Sequence, residues 1–184
     1  MNNPLLEITN LYVQYETPAG DVKALNGVSF DLFEEQIFCL VGESGSGKST
    51  LALAMLGLLP DNAKVIAGGI NFDGIDILTS TDVELQSIRG REISIVFQDA
   101  QSALNPIHTI GSQVEEVVQA HLDLSPKAVT TLCQEILRDV GLPDPKNVMK
   151  QYPFNLSGGM CQRVMLASAL VLQPRILIAD EATS

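Results

Sequence analysis

The stretch "VGESGSGKST", residues 41–50, follows the apolar run "QIFCLV" and leads into the helix-favouring run "KSTLALAMLGLL". We therefore predict a buried strand over 36–41 and a buried helix over 48–59. The positions that fill the phosphate-loop pattern GxxxxGK[ST] are Gly42, Gly47, Lys48 and Ser49. That pattern indicates phosphate binding when a strand precedes it and a helix follows. The alternative is a flexible surface loop ahead of a helix, and the two flanks argue against it.

The residue types in this loop suit a bound triphosphate. Glycines allow backbone N–H groups to turn toward an anion, and the N-terminus of the following helix adds partial positive charge. Lys48 can reach the outer phosphates, and the Ser49 hydroxyl can ligate Mg²⁺. The stretch therefore predicts a nucleotide site.

Length and charge limit the other possibilities. With 184 residues, the chain has room for one domain, 1–184, with a lobe inserted in it. There are 11 basic and 22 acidic residues, and this net charge of -11 argues against nucleic acid as a partner. No apolar stretch reaches the ~18 residues of a membrane span, and no signal peptide is recognisable, so we expect a soluble protein that can dock on a membrane partner.

The cysteines give no sign of a metal site or a disulfide framework. Cys39, Cys133 and Cys161 are widely spaced and form no CxxC pair. We predict that they are buried small apolar residues in a reducing cytosol.

The sequence pattern of the rest of the chain predicts an α/β protein. We predict three strands in the first forty residues, a hairpin over 68–78 and a short helix over 81–90. A strand over 92–98 is followed by amphipathic helices, one of them with Ser125 and Pro126 at its start and Gly141 at its end. A long helix over 157–172 and a buried strand over 175–180 complete the prediction. The helices would form a lobe between two strands of a sheet.

Two further stretches carry polar residues of the kind that bind nucleotides. The strand in "ILIADE" would deliver Asp180 and Glu181 to its C-terminal edge, where one carboxylate can hold a metal and the other can take a proton from water. "LSGGMCQR" places Ser157, Gly158 and Gly159 at a helix start, a second anion-binding end. Taken alone, the first could be a solvated turn and the second a simple capped helix. A second anion site makes sense if it faces the nucleotide of another subunit.

Two single residues are candidates for nucleotide or metal binding only because these motifs are also present. Gln98, at the end of the strand "EISIVFQ", could reach a metal ion or water, or it could be a loop amide with ordinary hydrogen bonds. Tyr15 could stack on a base, or it could simply pack on its strand.

In order, "GESGSGKST", "VFQ", "LSGGMCQR" and "ILIADE" closely resemble the nucleotide-binding subunits of ABC transporters, from about Leu5 to the last residue. The stretches "SALNPIHTIG", "YPFNLSGGM" and "ALVLQPRILIADEATS" are similar to the peptide and nickel importer branch. The resemblance implies a P-loop NTPase of the ABC ATPase type. Its RecA-like core would carry an N-terminal antiparallel β subdomain and a helical lobe at about 99–165.

The resemblance also implies roles for individual residues. Tyr15 would stack on adenine, Gln98 would sense the metal and the permease, Asp180 would hold Mg²⁺ together with Ser49, and Glu181 would be the general base. The Walker A loop would comprise Gly42, Glu43, Ser44, Gly45, Ser46, Gly47, Lys48, Ser49 and Thr50. The signature residues that face the ATP of the opposite subunit would be Ser157, Gly158 and Gly159.

The implied function is ATP hydrolysis that powers an importer of peptides or nickel complexes. The implied partners are integral membrane permease subunits, a second ABC ATPase subunit, identical or not, and indirectly a solute-binding protein. The implied location is peripheral, on the cytoplasmic face of the inner membrane. Such subunits close head to tail around two ATP molecules and reopen after hydrolysis.

The chain departs from the family pattern in three places. Ala182 stands where proline is usual, and "QDA" replaces "QEP" or "QDP" at 98–100. The sequence stops at Ser184, where the D-loop would begin and before any switch histidine, and neither His108 nor His121 can take that role. From this we expect a truncated chain that binds nucleotide but turns it over poorly.

Two other functions compete with this one. An ABC-type ATPase acting on DNA or ribosomes is disfavoured by the acidic charge and by the short, heptad-free stretch between Lys48 and Ser157. A non-catalytic nucleotide-binding module differs from an ATPase by turnover alone.

Overall fold

The structure, a computed structural model, describes residues 3–180. The chain divides into two compact units between Gln86 and Ser87, a boundary that falls inside helix α2 (Asp82–Ile88). The sequence-based assignment of 1–184 to one domain with a lobe over about 99–165 stays a prediction.

The first unit contains a four-stranded sheet in the order β2-β1-β3-β4, antiparallel throughout. Its strands are β1 Leu6–Tyr15, β2 Val22–Leu32, β3 Ala63–Phe72 and β4 Ile75–Asp76. The β3-β4 turn consists of Asp73 and Gly74, both at positive φ (47° and 87°), as two-residue hairpins favour. The predicted hairpin and the predicted N-terminal antiparallel β subdomain are both confirmed.

Strand β1 buries its apolar side chains across a bulge. Leu6 and Ile8 are buried two residues apart, and the next buried side chain is Leu11, three residues on. The register shifts between Ile8 and Leu11, where Asn10 adopts φ 47° and donates its N–H to Ser29 Oγ at 2.7 Å. The extra residue lets both halves of the strand face the same core.

Helix α1 (Lys48–Met55) is shorter than predicted. Gly57, at φ 61°, donates its N–H to Ala54 O, and Leu58 donates to Leu53 O. These two bonds form the usual glycine-terminated end of a helix. The prediction of a buried helix is confirmed, and the predicted end at residue 59 is wrong because Gly57 stops the helix.

The predicted strand over 36–41 is wrong: the structure has no regular element there. Ile37 and Val41 are 93% and 92% exposed, while Phe38 stacks on Phe30 with ring centroids 4.8 Å apart. A strand needs a hydrogen-bonded neighbour, and no strand among residues 3–180 pairs with this segment. An apolar run alone therefore did not define a strand.

The second unit has a two-stranded parallel sheet of β5 (Ile93–Val96) and β6 (Ile176–Ala179). Between these strands lie helices α3 Ala100–Ala103, α4 Ile110–His121, α5 Pro126–Asp139, α6 Pro145–Val148 and α7 Gly158–Leu170, with a 3₁₀ turn Pro153–Asn155. The predicted helical insertion between two strands is confirmed.

The ends of α5 are formed as predicted. Ser125 Oγ accepts from Ala128 N at 3.4 Å, and Pro126 begins the helix. Gly141, at φ 80°, follows the C-terminal end, and its N–H donates to Arg138 O at 2.8 Å. Serine and proline thus mark the start of the helix, and glycine marks its end.

The core of the second unit is built from the apolar faces of these helices. Its fully buried members are Ile110, Val114, Val118, Cys133, Leu137, Cys161, Val164 and Ala167. Two of the three cysteines are therefore buried as predicted, and the prediction for Cys39 is wrong because that residue is exposed. None of the helices within residues 3–180 is both long and apolar enough to cross a bilayer.

Candidate nucleotide-binding site

The loop 42–47 depends on glycine at three places. Gly45 and Gly47 have φ values of 80° and 94°, which side-chain-bearing residues rarely adopt. A Cβ on Gly47 would lie 2.4 Å from Ala24 O, and one on Gly42 would lie 2.5 Å from Ser46 Oγ. The loop can therefore wrap tightly only because these positions lack side chains.

Lys48, the first residue of α1, reaches back across this loop. Its ammonium donates to Gly42 O and Glu43 O, each at 2.9 Å, so its charge lies inside the curve of the loop. Gly47 occupies the N-cap position and has no side chain with which to cap the first turn of α1. The positive end of the α1 dipole and the Lys48 ammonium thus lie beside the same loop, an arrangement suited to binding an anion such as phosphate.

Tyr15 contacts the first turn of the helix that follows this loop. It is the last residue of β1, and its hydroxyl is 3.1 Å from Thr50 Oγ1, within hydrogen-bonding distance. The structure thus brings Tyr15 and residues 42–50 together within the first unit. Stacking of Tyr15 on an adenine stays a prediction.

In the second unit, Gln98 and Asp180 follow neighbouring parallel strands. Val96 pairs with Ala179, and Asp180 donates its N–H to Val96 O at 3.0 Å. Gln98 is two residues beyond Val96, so both side chains belong to the C-terminal edge of one sheet. A carboxylate and an amide oxygen are suitable ligands for Mg²⁺. Glu181, the predicted general base, lies outside the described residues.

Asp99 fixes the backbone directly after Gln98, a role that the sequence analysis missed. Its carboxylate caps α3 by accepting from Gln101 N at 3.0 Å and Ser102 N at 3.2 Å. The Ser102 hydroxyl, assisted by these amides, lowers the pKa of Asp99 below its ordinary value. An aspartate just before "AQSA" is the sequence signal of such a cap.

Ser157 caps α7, and the glycines that follow it are open. Ser157 Oγ accepts from Met160 N at 3.3 Å, so its oxygen serves as a helix cap, the simpler of the two interpretations above. Gly158 and Gly159 are exposed and not at positive φ, and a Cβ on Gly159 would meet no heavy atom within 4 Å. Nothing in the described chain therefore requires glycine at 159.

Two more residues with defined contacts escaped the sequence analysis. Gln113, on α4, accepts from Asn105 N at 2.8 Å and donates to Asn105 O and His108 O at 3.0 and 3.1 Å. Arg163, on α7, donates to Gly141 O at 2.6 Å. Each bond to a backbone group several residues away depends on the folded path of the chain, which no local pattern reveals.

The glycine loop, its lysine and the following helix are typical of the phosphate-loop class of nucleotide-binding proteins, although the strand expected before the loop is absent from residues 36–41. The ABC transporter family model matches residues 25–184, and the chain belongs to this family. The recognition made from the sequence motifs is confirmed.

Relatives with established names are similar over almost the whole chain. It is 46% identical over 181 residues to the dipeptide transport ATP-binding protein DppD of Bacillus subtilis, covering 98% of this chain and 54% of that protein. It is 43% identical over 182 residues to the oligopeptide transport ATP-binding protein OppD of Haemophilus influenzae, covering 99% and 56%. The chain thus spans about half the length of these relatives.

Solved structures show the same fold. The ATP-binding cassette MJ0796, in a dimeric post-hydrolysis state bound to ADP and Pi, matches with a TM-score of 0.86 and 29% identity, over 97% of this chain and 74% of that one. The structure of cbiO1 from Clostridium perfringens, part of the ABC transporter complex cbiONQ, matches with a TM-score of 0.72 and 26% identity, over 97% and 65%. The predicted ABC ATPase fold class is confirmed.

Proposed function

We propose that this chain is the ATP-binding and ATP-hydrolysing part of a subunit that powers an ABC importer. The observation that carries the proposal is the loop 42–47, whose glycine geometry and inward-reaching Lys48 are suited to holding phosphate. Membership of the ABC transporter family supports ATP as the nucleotide.

The proposed substrate class of the importer is peptides. The relatives named above are a dipeptide and an oligopeptide transport protein, and a protein named as a peptide import ATP-binding protein in Brucella melitensis is 42% identical. Nickel complexes remain the alternative cargo. The choice of cargo would lie with the permease and a solute-binding protein, because the ATP-binding subunit does not contact the solute.

Within the proposed site, each residue would have a different role in ATP hydrolysis. Lys48 would neutralise charge on the outer phosphates, and Glu181 would take the proton of the attacking water. Ser49, Gln98 and Asp180 would supply the hydroxyl, amide and carboxylate oxygens that Mg²⁺ prefers. When bound, Mg²⁺ would neutralise the charge of the phosphate oxygens.

The open glycines at the start of α7 support a site shared between two subunits. Gly158 and Gly159 are exposed, and a Cβ on Gly159 would meet no heavy atom within 4 Å, so the γ-phosphate of an ATP held by a partner subunit could approach closely. The solved MJ0796 cassette is described as dimeric. The partner would be a second copy of this chain or a similar ATPase subunit.

For the permease, we propose a contact on the loop 105–111. Ile107 is 78% exposed on this loop, and Gln113 holds the loop in shape through its bonds to Asn105 and His108. Beside the loop is a cavity of about 450 Å³ with an apolar part that includes Leu104 and Met165. An apolar cytoplasmic segment of a permease could fill it, which would place the chain peripherally on the cytoplasmic face of the membrane.

The test is an equilibrium titration with Mg²⁺-ATP by isothermal calorimetry, comparing the chain with its Lys48→Ala variant. We expect Lys48→Ala to abolish detectable binding, because it removes the one cation of the loop. The matched control is Lys64→Ala, in the same unit, where an exposed lysine pairs with Glu16. It should bind as the unmodified chain does.

Thermal unfolding of both variants would show whether each remains folded. Micromolar affinity in folded Lys48→Ala would contradict the phosphate-loop assignment.

A further inference from the structure

We propose that Arg163 is a positioning residue: its bond to the end of α5 sets the position of α7, and with it the placement of Ser157 and Gly159. This inference rests on the proposed function, in which the start of α7 faces the ATP of a partner subunit.

The contact joins the N-terminal half of α7 to the C-terminal end of α5. Arg163 lies six residues after Ser157 and therefore within the first two turns of α7. Its Nη1 donates to Gly141 O at 2.6 Å. Gly141 follows the last turn of α5, where backbone carbonyls and the helix dipole present negative charge. A guanidinium bonded there is held by charge as well as by geometry.

Gly141 is suited to this contact in a second way. Its φ of 80° ends α5, and a Cβ at this position would lie 2.9 Å from Arg163 Nη1. A side chain at 141 would therefore displace the guanidinium. The glycine that ends one helix thus also admits the arginine of the other.

Apolar packing alone does not determine where α7 begins. The buried residues of α7 are Cys161, Val164, Met165, Ala167 and Ala169. Apolar contacts of this kind are non-directional, so they tolerate small shifts and rotations along a helix axis. Near the start of the helix two directional bonds add a constraint, a weak one from Cys161 Sγ to Pro153 O at 3.6 Å and the short one from Arg163.

The competing explanation is that Arg163 only stabilises the lobe. A surface hydrogen bond of this kind contributes about 1 kcal/mol to folding. Loss of such a contribution would affect any function of the chain alike. A positioning role would affect only the function of the signature helix, and this difference makes the two explanations separable.

The experiment uses two complementary versions of the chain, each with a fluorophore at its N-terminus. The Lys48→Ala version lacks a working phosphate loop, so it can contribute only its signature helix to a shared site. The Gly159→Asp version contributes only its phosphate loop, because a carboxylate there repels phosphate; it should fold, since residue 159 has open space. ATP-dependent association of the mixed pair is measured by energy transfer.

We then place Arg163→Met in one version at a time. In the Lys48→Ala version, which supplies the signature helix, it should weaken ATP-dependent association by about tenfold or more. In the Gly159→Asp version, which supplies the phosphate loop, it should leave association unchanged. Arg163→Lys in the Lys48→Ala version should restore part of the loss, because lysine keeps one donor and the charge.

Each other outcome has a distinct meaning. Equal weakening in both versions would show a general structural role and overturn the inference, as would no weakening in either. If the mixed pair without Arg163→Met fails to associate although the Gly159→Asp version binds Mg²⁺-ATP, the shared site itself is wrong, and this inference falls with it.

Discussion

Two glycine-bearing loops each open a helix in this chain, and their glycines serve different purposes. In the loop 42–47, Gly45 and Gly47 have positive φ, and Gly47 is pressed against the backbone of Ala24. At the start of α7, Gly159 has an ordinary helical environment and open space around its Cα. The first loop needs glycine to form at all, whereas the second would form without it.

The difference indicates whether each loop binds a ligand by itself or together with another molecule. A loop that is shaped by its own chain can hold a phosphate without help from another molecule. Gly159 is not required by any contact within the described chain, and a glycine in a helix destabilises it by up to about 1 kcal/mol relative to alanine. We infer that the glycine serves a contact with another molecule. This difference supports the proposal that the first loop binds ATP within one subunit and the second contacts ATP held by another.

The largest effect on stability is expected for Gly47→Ala. Alanine at φ 94° costs about 1–3 kcal/mol in backbone strain, and its Cβ would lie 2.4 Å from Ala24 O, adding about 1–3 kcal/mol of overpacking. Chemical denaturation should show a loss of about 2–6 kcal/mol in the free energy of unfolding of the first unit.

Gly45→Ala is the matched control for this prediction. Gly45 has a similar φ of 80°, but a Cβ there meets no heavy atom within 4 Å. Only the strain of about 1–3 kcal/mol should appear. Equal losses for Gly45→Ala and Gly47→Ala would show that the contact with Ala24 does not matter.

Gly159→Ala should have a smaller effect, of opposite sign. Residue 159 lies in the first turn of α7 with room for a methyl group, so alanine should leave stability unchanged or raise it by up to about 1 kcal/mol. The measurement is the midpoint of thermal unfolding. A clear loss of stability would show that glycine is required by the fold at this position as well.

The prediction that perturbs the protein least concerns the reactivity of its native cysteines, two of which lie near the two loops. Cys39, three residues before Gly42, is exposed, whereas Cys161, two residues after Gly159, is buried. Burial, together with the Glu115 carboxylate, raises the pKa of Cys133 to about 12, so that thiol stays protonated and unreactive at pH 8. Burial also raises the pKa of Cys161.

Titration of the native chain with a thiol reagent at pH 8 should therefore label Cys39 rapidly, and label the other two only after unfolding. Rapid labelling of Cys161 in the native chain would mean that α7 is not packed as described.

Most of the fold could be predicted because local signals agreed with the final packing. Ser125, Pro126 and Gly141 marked the ends of α5 correctly, and short apolar runs located β5 and β6. The strand predicted over 36–41 failed because an apolar run reports a tendency to be buried, not the presence of a pairing neighbour. The end of α1 was misjudged because Gly57 was read as part of an apolar run.

The candidate site was predicted less completely than the fold. The motifs located the residues of both loops and the positions of Gln98 and Asp180, since these depend on short spacings. The bond between Arg163 and Gly141 joins residues 22 positions apart, and the bonds of Gln113 fold back on a loop eight residues before it. Such contacts follow from tertiary structure, so the sequence pattern did not reveal them.

The most direct test of the division between the two loops is a Mg²⁺-ATP titration of two single variants, at a concentration where light scattering shows a monomer. The account predicts that Gly159→Ala binds Mg²⁺-ATP with the affinity of the unmodified chain, while Gly47→Ala shows no saturable binding. Equal loss of affinity in both variants would contradict it, because the second loop would then contribute to nucleotide binding within the same chain.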